Sequence, residues 1–200
     1  MHFVGDEEIE ITIHISLDVL READNWATGQ IGAAISKNGI KALGRKFHPA
    51  PGEEHVELAE SYQSREEGYT RIFELNGEKY FICACYDSFG LKHNNIQNIG
   101  ADVVLDLVHG FHPKGKGNSG DVYFAKNGFA GASKHWDCLV FGAAVFFNRK
   151  IPRNWPSGVY WDQGNISTKS WKYSDNPIMP STQFEININE GIALVKIYKT

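Results

Sequence analysis

The sequence predicts a single α/β domain over residues 1–200, and three observations carry that prediction. Apolar runs of strand length dominate the chain, two pairs of them are closed by Asn-Gly turns, and one stretch reads strand, helix, strand. The composition agrees, with 42% hydrophobic and 22% charged residues, 20 Gly and 7 Pro, the profile of a packed chain rather than a disordered one. A chain of this size buries about 70% of its unfolded surface, so it needs no disulfide or metal staple.

The elements follow from local pattern. Residues 9–16 alternate Ile with Glu, Thr, His and Ser, the period-two signature of a half-buried strand. Residues 17–26 read as a short helix with Ser16 as N-cap and Leu17, Leu20 and Trp26 on its apolar side. A hairpin is expected from 31–35 and 40–47 around Lys37-Asn38-Gly39, because Asn-Gly supplies the positive φ angles of a tight primed turn. The charged stretch 49–67 is loop-like, and a second hairpin pairs 69–75 with 79–86 across Asn76-Gly77. A helix over 91–99, closed by Gly100, leads into 101–108, a continuous apolar strand of the kind buried on both faces. The glycine-rich stretch 111–120 is a mobile or ligand-facing loop, followed by a helix over 121–136 and a buried strand over 138–147. Residues 152–180 are turn-rich and aromatic, and a last hairpin joins 183–188 to 192–198 through Asn189-Glu190-Gly191.

Charge and motifs exclude several partners. Twenty Lys and Arg against 24 Asp and Glu give a net charge of -4 without long like-charge blocks, so neither nucleic acid nor an anionic membrane is expected. The longest apolar run, 139–147, is broken by Gly142 and far short of the ~20 residues that span a bilayer. Cys83, Cys85 and Cys138 are too few and too oddly spaced for a disulfide framework, which points to a reducing, cytoplasmic setting. The acidic N-terminus lacks the basic and apolar regions of a secretory signal. His109 and His112 lack a third ligand at zinc spacing. Trp155, Tyr160, Trp161 and Trp171 read as core filling or as a contact between copies.

Chemistry concentrates in Phe81-Ile-Cys-Ala-Cys-Tyr-Asp-Ser-Phe-Gly90, which sets a cysteine at the end of a buried strand where the chain turns into a helix. Such an elbow presents a side chain at the edge of an open sheet, beside backbone amides that favour a thiolate and an oxyanion. The plainer reading of a lone cysteine is core filling, which suits Cys83, whereas Cys85 at the strand end is better exposed.

Residues 82–89, followed by Gly100-Ala-Asp-Val-Val, resemble the nucleophile block of the carbon-nitrogen hydrolase (nitrilase) superfamily. Arg45-Lys46-Phe-His-Pro-Ala-Pro-Gly-Glu53 is similar to that family's preceding block, and Trp136 with the strand 139–147 is similar to its later segment. The resemblance covers roughly residues 30–148 and implies an α-β-β-α layered sandwich assembled into dimers or larger oligomers. It places Cys85 on the nucleophile, Lys46 on the catalytic lysine and Glu53 on the glutamate that closes the block. On residue type alone, Lys46 beside Arg45 is a solvated basic pair and Glu53 belongs to an acidic face with Glu54, Glu57 and Glu60.

The implied function is cysteine-dependent hydrolysis of a non-peptide carbon-nitrogen bond in a small amide or nitrile, through a covalent acyl-enzyme, with no metal or organic cofactor required. The family also uses an earlier glutamate as general base, where this chain offers Ser16 and Asp18 at a strand end and Glu7, Glu8 and Glu10 before it. The alternative is therefore a catalytically silent binding or regulatory relative lacking that first glutamate.

Overall fold

The computed structural model describes residues 2–5, 9–12, 28–54, 56–111, 120–162, 170–172, 176–188 and 191–199. Strands β1 (His2–Gly5) and β2 (Ile9–Thr12) pair antiparallel, and β2 runs beside β4 (Ile31–Ser36), which follows the two-residue β3 (Thr28–Gly29). The rest of the strand expected over 9–16 and the helix over 17–26 lie outside the described residues.

β4 and β5 (Gly39–Arg45) form the first hairpin, although only Gly39 takes a positive φ there, at 105°. The primed turn expected at Asn38-Gly39 is instead a two-residue turn over Lys37 and Asn38, closed by the Ser36–Gly39 pair, with a register shift between Ala34 and Ile35, and the Asn38 amide donates to Ser36 Oγ at 3.1 Å. The short β6 (Val56–Glu57) crosses back to pair in parallel with β3. At the second hairpin, β7 (Ile72–Leu75) with β8 (Glu78–Ala84), both Asn76 (φ 53°) and Gly77 (φ 83°) are left-handed, as a primed turn requires.

From β8 the chain enters α1 (Asp87–Leu91) and returns as β9 (Val103–Phe111), parallel to β8. The helix sits four residues earlier than expected. Beyond Leu91 the chain turns, and the Asn98 carboxamide fixes the entry to β9: Oδ1 accepts the amides of Gly100 and Ala101, and Nδ2 donates to the carbonyls of Ala101 and Trp136. The helix expected over 121–136 is present as α2 (Gly120–Phe124), a π-helical turn (Ala125–Phe129) and α3 (Ala130–Trp136). The glycine-rich stretch before it, residues 112–119, lies outside the described residues.

β10 (Leu139–Phe146) then pairs in parallel with β9 and antiparallel with β11 (Gly158–Val159), completing a five-stranded sheet in the order β11-β10-β9-β8-β7. The last hairpin, β12 (Thr182–Ile188) with β13 (Gly191–Ile197), is largely exposed.

Alternation along β8 and β9 decides what each face of the sheet buries. Phe81, Cys83, Val104 and Val108 face a core shared with Phe89, Leu91, Phe124, Phe129 and Trp136 from the helices. Ile82, Val103, Leu105 and Leu107 face the opposite side, against Ala34 and Ala42 of the β4–β5 hairpin. Each such side chain stabilises the fold by about 1.5–3 kcal/mol. The hairpin approaches closely because it carries glycine at the contact: a Cβ on Gly32 would stand 2.5 Å from Ile82 Cγ2. Trp155, Trp161 and Trp171 are buried in the helix-side core, so these aromatic residues fill the interior.

The described residues thus form a mixed α/β fold of three layers: helices, central sheet and hairpin. The second helical layer of the expected sandwich is not among them. No helix among the described residues is long and apolar enough to cross a membrane.

Candidate functional site

Cys85 stands between the last residue of β8 and the first turn of α1, with φ at 55°. A non-glycine residue in this left-handed region carries about 1–3 kcal/mol of strain, which persists only where the surroundings fix it. Here they do. The Cys85 amide donates to the Leu107 carbonyl at 2.8 Å, and the Cys85 carbonyl accepts the Ser88 amide at 3.4 Å and the Ser88 hydroxyl at 3.3 Å. The residue is half-buried, whereas its neighbours in β8 are fully covered. Cys83 faces the core with no exposure, and burial pushes its thiol well above the usual range. Cys138 is likewise pushed up to about 12, chiefly by burial. Both are inert apolar fillers.

Lys46 follows β5, where strand alternation turns consecutive basic residues in opposite directions. Arg45 reaches outward to Glu57 and Glu66, while Lys46 is turned inward with its side chain entirely buried. Its Nζ donates to Glu53 Oε2 and, at 3.0 Å, to Gln30 Oε1. Gln30 Nε2 in turn donates to Glu53 Oε1 at 3.2 Å, and the Ala50 amide donates to Glu53 Oε2 at 2.7 Å. Burial raises the Glu53 pKa, but the bonds from Lys46, Ala50 and Gln30 together outweigh it and hold the carboxyl below its ordinary value. Glu53 is therefore the partner of Lys46, and its neighbour Glu54 is exposed.

Gln30 closes this network and escaped the sequence reading. It is 4% exposed, and its backbone carbonyl also accepts the Lys46 amide at 2.8 Å. The available signal was an amide side chain at the head of an otherwise apolar strand.

Asp87 joins the two halves of the site. Its Oδ1 accepts the amides of Phe47 and His48 at 2.8 and 2.9 Å, immediately after Lys46. Its Oδ2 accepts the Ala84 amide at 3.0 Å, immediately before Cys85, and faces Arg71 Nη1 at 3.4 Å. Burial raises the Asp87 pKa above its ordinary value, against the pull of Arg71 and the three amides. Burial is the main reason the Tyr86 phenol pKa rises, with the charges of Tyr123, Cys85 and Glu53 adding to it. Its ring stacks on Phe89, with centroids 4.4 Å apart. Thus Lys46 and Glu53 touch directly, and Asp87 ties the backbone that follows Lys46 to the backbone that precedes Cys85. Among the described residues no group of three or more His, Cys, Asp or Glu is arranged to hold a metal ion.

No protein-family model matches the chain, and no curated protein does. Among solved structures it is similar to the NitN amidase from Neterenkonia sp. AN1, at 15% identity and a TM-score of 0.43 over 61% of this chain and 44% of that one. An amidase from Nesterenkonia sp. is similar at 13% identity and a TM-score of 0.41, over 61% of this chain and 42% of that one. The matched region is therefore less than half the length of either structure.

Proposed function

We propose that the protein is a cysteine-dependent hydrolase of a non-peptide carbon-nitrogen bond in a small amide or nitrile, working through an acyl-enzyme on Cys85. The observation that carries this reading is the left-handed Cys85 elbow, tied through Asp87 to the backbone beside a fully buried, ion-paired lysine. A structural cysteine needs no strained backbone, and a solvated lysine does not become buried.

In this reading the Cys85 thiolate attacks the amide carbon, forming the S–C bond. The carbonyl oxygen takes up the displaced electron pair, and the Lys46 ammonium and the backbone amide of Tyr86 stabilise the resulting oxyanion. The thiol proton passes through a carboxylate to the leaving nitrogen as the C–N bond breaks. Glu53 is the ionised carboxylate that the described site offers. Water then cleaves the thioester, giving a carboxylic acid and restoring the thiol, so that amide and water become acid and amine.

The test is release of ammonia or amine from a panel of small amides and nitriles by the wild type and by Cys85→Ala, with intact-mass detection of an acyl adduct. The expected result is turnover and an adduct on Cys85 in the wild type, both absent in the variant. Turnover that survives Cys85→Ala overturns the proposal, as does a Cys85 that resists iodoacetamide in the folded protein. Labelling of Cys85 without turnover of any substrate transfers the scaffold to the silent binding class.

A further inference from the structure

Arg71 immediately precedes β7 and is only 2% exposed. Its guanidinium reaches acceptors on β5, β8 and α1. Nη2 donates to the Arg45 carbonyl at the end of β5, and Nη1 faces the Ile82 carbonyl of β8 and Asp87 Oδ2 of α1, both at 3.4 Å. The guanidinium carbon also lies 5.0 Å from the Phe47 ring centroid and 5.4 Å from that of Phe81. The hairpin makes room for it, because a Cβ on Gly44 would stand 2.9 Å from Arg71 Cβ. The charged groups about this cation are Asp87 in direct contact, Arg45 turned outward to Glu57 and Glu66, and Lys46 turned inward to Glu53.

Two of these contacts bracket Lys46. Arg45 precedes it and Phe47 follows it, so the guanidinium grips the backbone before the lysine and the ring after it. The remaining contacts, to Phe81, Ile82 and Asp87, belong to the strand that leads into Cys85 and the helix that leaves it. Fold stability alone does not call for this arrangement, since a buried ion pair replaced by well-packed apolar residues is often as stable or more so. Arg71 Nε is moreover buried with no partner among the described residues, a cost carried while the Nη atoms serve the two segments. A planar guanidinium with several donors can hold acceptors in different directions, whereas a lysine ammonium is a single point of charge.

We propose that Arg71 is a positioning residue for Lys46: by gripping Arg45 and Phe47 and anchoring them to Ile82 and Asp87, it holds the lysine in fixed register with the Cys85 elbow. The role rests on the reading of Cys85 as the nucleophile and Lys46 as the ammonium that serves it. Glu53 and Gln30 fix the head of the lysine, and Arg71 fixes the backbone that carries it.

The test is the pH dependence of Cys85 alkylation by iodoacetamide in the full chain, with the labelled cysteine identified by peptide mass and folding checked by near-UV circular dichroism. An ammonium beside a thiol favours the thiolate, so a misplaced Lys46 moves the alkylation profile toward alkaline pH. Arg71→Lys keeps the charge and loses the planar fork. It is expected to react about tenfold more slowly at neutral pH and as fast as the wild type above about pH 10, where the thiol is ionised in both. A folded Arg71→Lys with the wild-type profile overturns the proposal. In a Lys46→Met background, or Lys46→Gln if the first does not fold, Arg71→Lys is expected to change the rate by less than about twofold, because the lysine it positions is gone. An equal loss in that background overturns the proposal, since Arg71 then acts on the elbow without Lys46. Should Arg71→Lys fail to fold, Gly44→Ala, which crowds the arginine and keeps its chemistry, takes its place with the same expected and overturning results. A wild-type Cys85 that never alkylates, or a Lys46→Met with the wild-type profile, undoes the hydrolase reading and the role of Arg71 with it. A profile that Lys46→Met shifts and Arg71→Lys leaves in place undoes only the role of Arg71.

Discussion

The Asp87 carboxylate accepts the His48 backbone amide at 2.9 Å across 39 residues of sequence, and through that bond the elbow helix fixes the segment that carries Lys46. The same carboxylate faces Arg71, whose guanidinium is 2% exposed, lies 5.0 Å from the Phe47 ring centroid and donates to the Arg45 carbonyl. Removing the carboxylate would leave a buried cation without its counter-charge. Asp87→Ala is therefore expected to cost about 3–5 kcal/mol, measured by urea denaturation followed through tryptophan fluorescence. Asp87→Asn, which keeps one acceptor oxygen for the two amides, should cost less. Equal stability of the wild type and Asp87→Ala would show that the link is not structural.

Gly90 of α1 is the contact point between that helix and the Lys46 segment. A Cβ placed there would stand 2.7 Å from Phe47 Cε2 and 2.8 Å from His48 Cβ. The second of these is the root of a side chain and cannot swing away without moving the backbone. Gly90→Ala should destabilise the fold by about 1–3 kcal/mol and should also slow Cys85 alkylation, since the displaced segment is the one bonded to Asp87. A variant with wild-type stability would mean that the segment yields freely.

Much of this arrangement was legible because it is local. Alternation marked Cys83 as core and Cys85 as the strand end, and the Asn76-Gly77 turn is left-handed at both residues, as the dipeptide demands. The strand, helix, strand reading of the centre corresponds to the parallel β8–β9 pair. What the sequence hid depends on pairing across long separations. Lys46 and Arg45 are indistinguishable as neighbours, and only the partners Gln30 and Glu53 on one side, and Glu57 and Glu66 on the other, separate a buried lysine from a surface arginine. Asp106 was legible as an acid within an apolar strand, but nothing local says that it is buried to 1% exposure. The helix expected over 91–99 lies earlier, at Asp87–Leu91, where the Asp87 carboxylate accepts the amides of Ala84, Phe47 and His48, two of them from a segment some 40 residues away that no local pattern announces.

The Lys46–Glu53 pair carries a pH signature. The Glu53 carboxyl titrates below its ordinary value of 4.5 in the folded chain, so between the two values the unfolded chain binds more protons. Its contribution to stability is fully present above the unfolded value and is lost as pH falls through the folded one. Glu53→Gln cannot titrate. The stability difference between the wild type and Glu53→Gln should therefore be constant above pH 4.5 and shrink as the solution becomes more acidic. Denaturation midpoints measured across this range decide it, and a difference that widens toward acid would contradict the assigned direction.

The strain at Cys85 can be read directly by removing its Cβ. In most buried positions glycine is less stable than alanine, by roughly 0.5–1 kcal/mol in regular structure, because it loses more backbone freedom on folding. At a φ of 55° the order should reverse, since alanine meets the steric penalty of the left-handed region and glycine does not. Cys85→Gly is expected to exceed Cys85→Ala in stability by about 1 kcal/mol, with both equally unable to form an acyl adduct. Comparing these two variants cancels the lost sulfur, so thermal or urea unfolding of the pair isolates the backbone. A Cys85→Ala that is the more stable of the two would mean that the elbow relaxes to an ordinary turn, and with it would go the reason to regard Cys85 as held for a task.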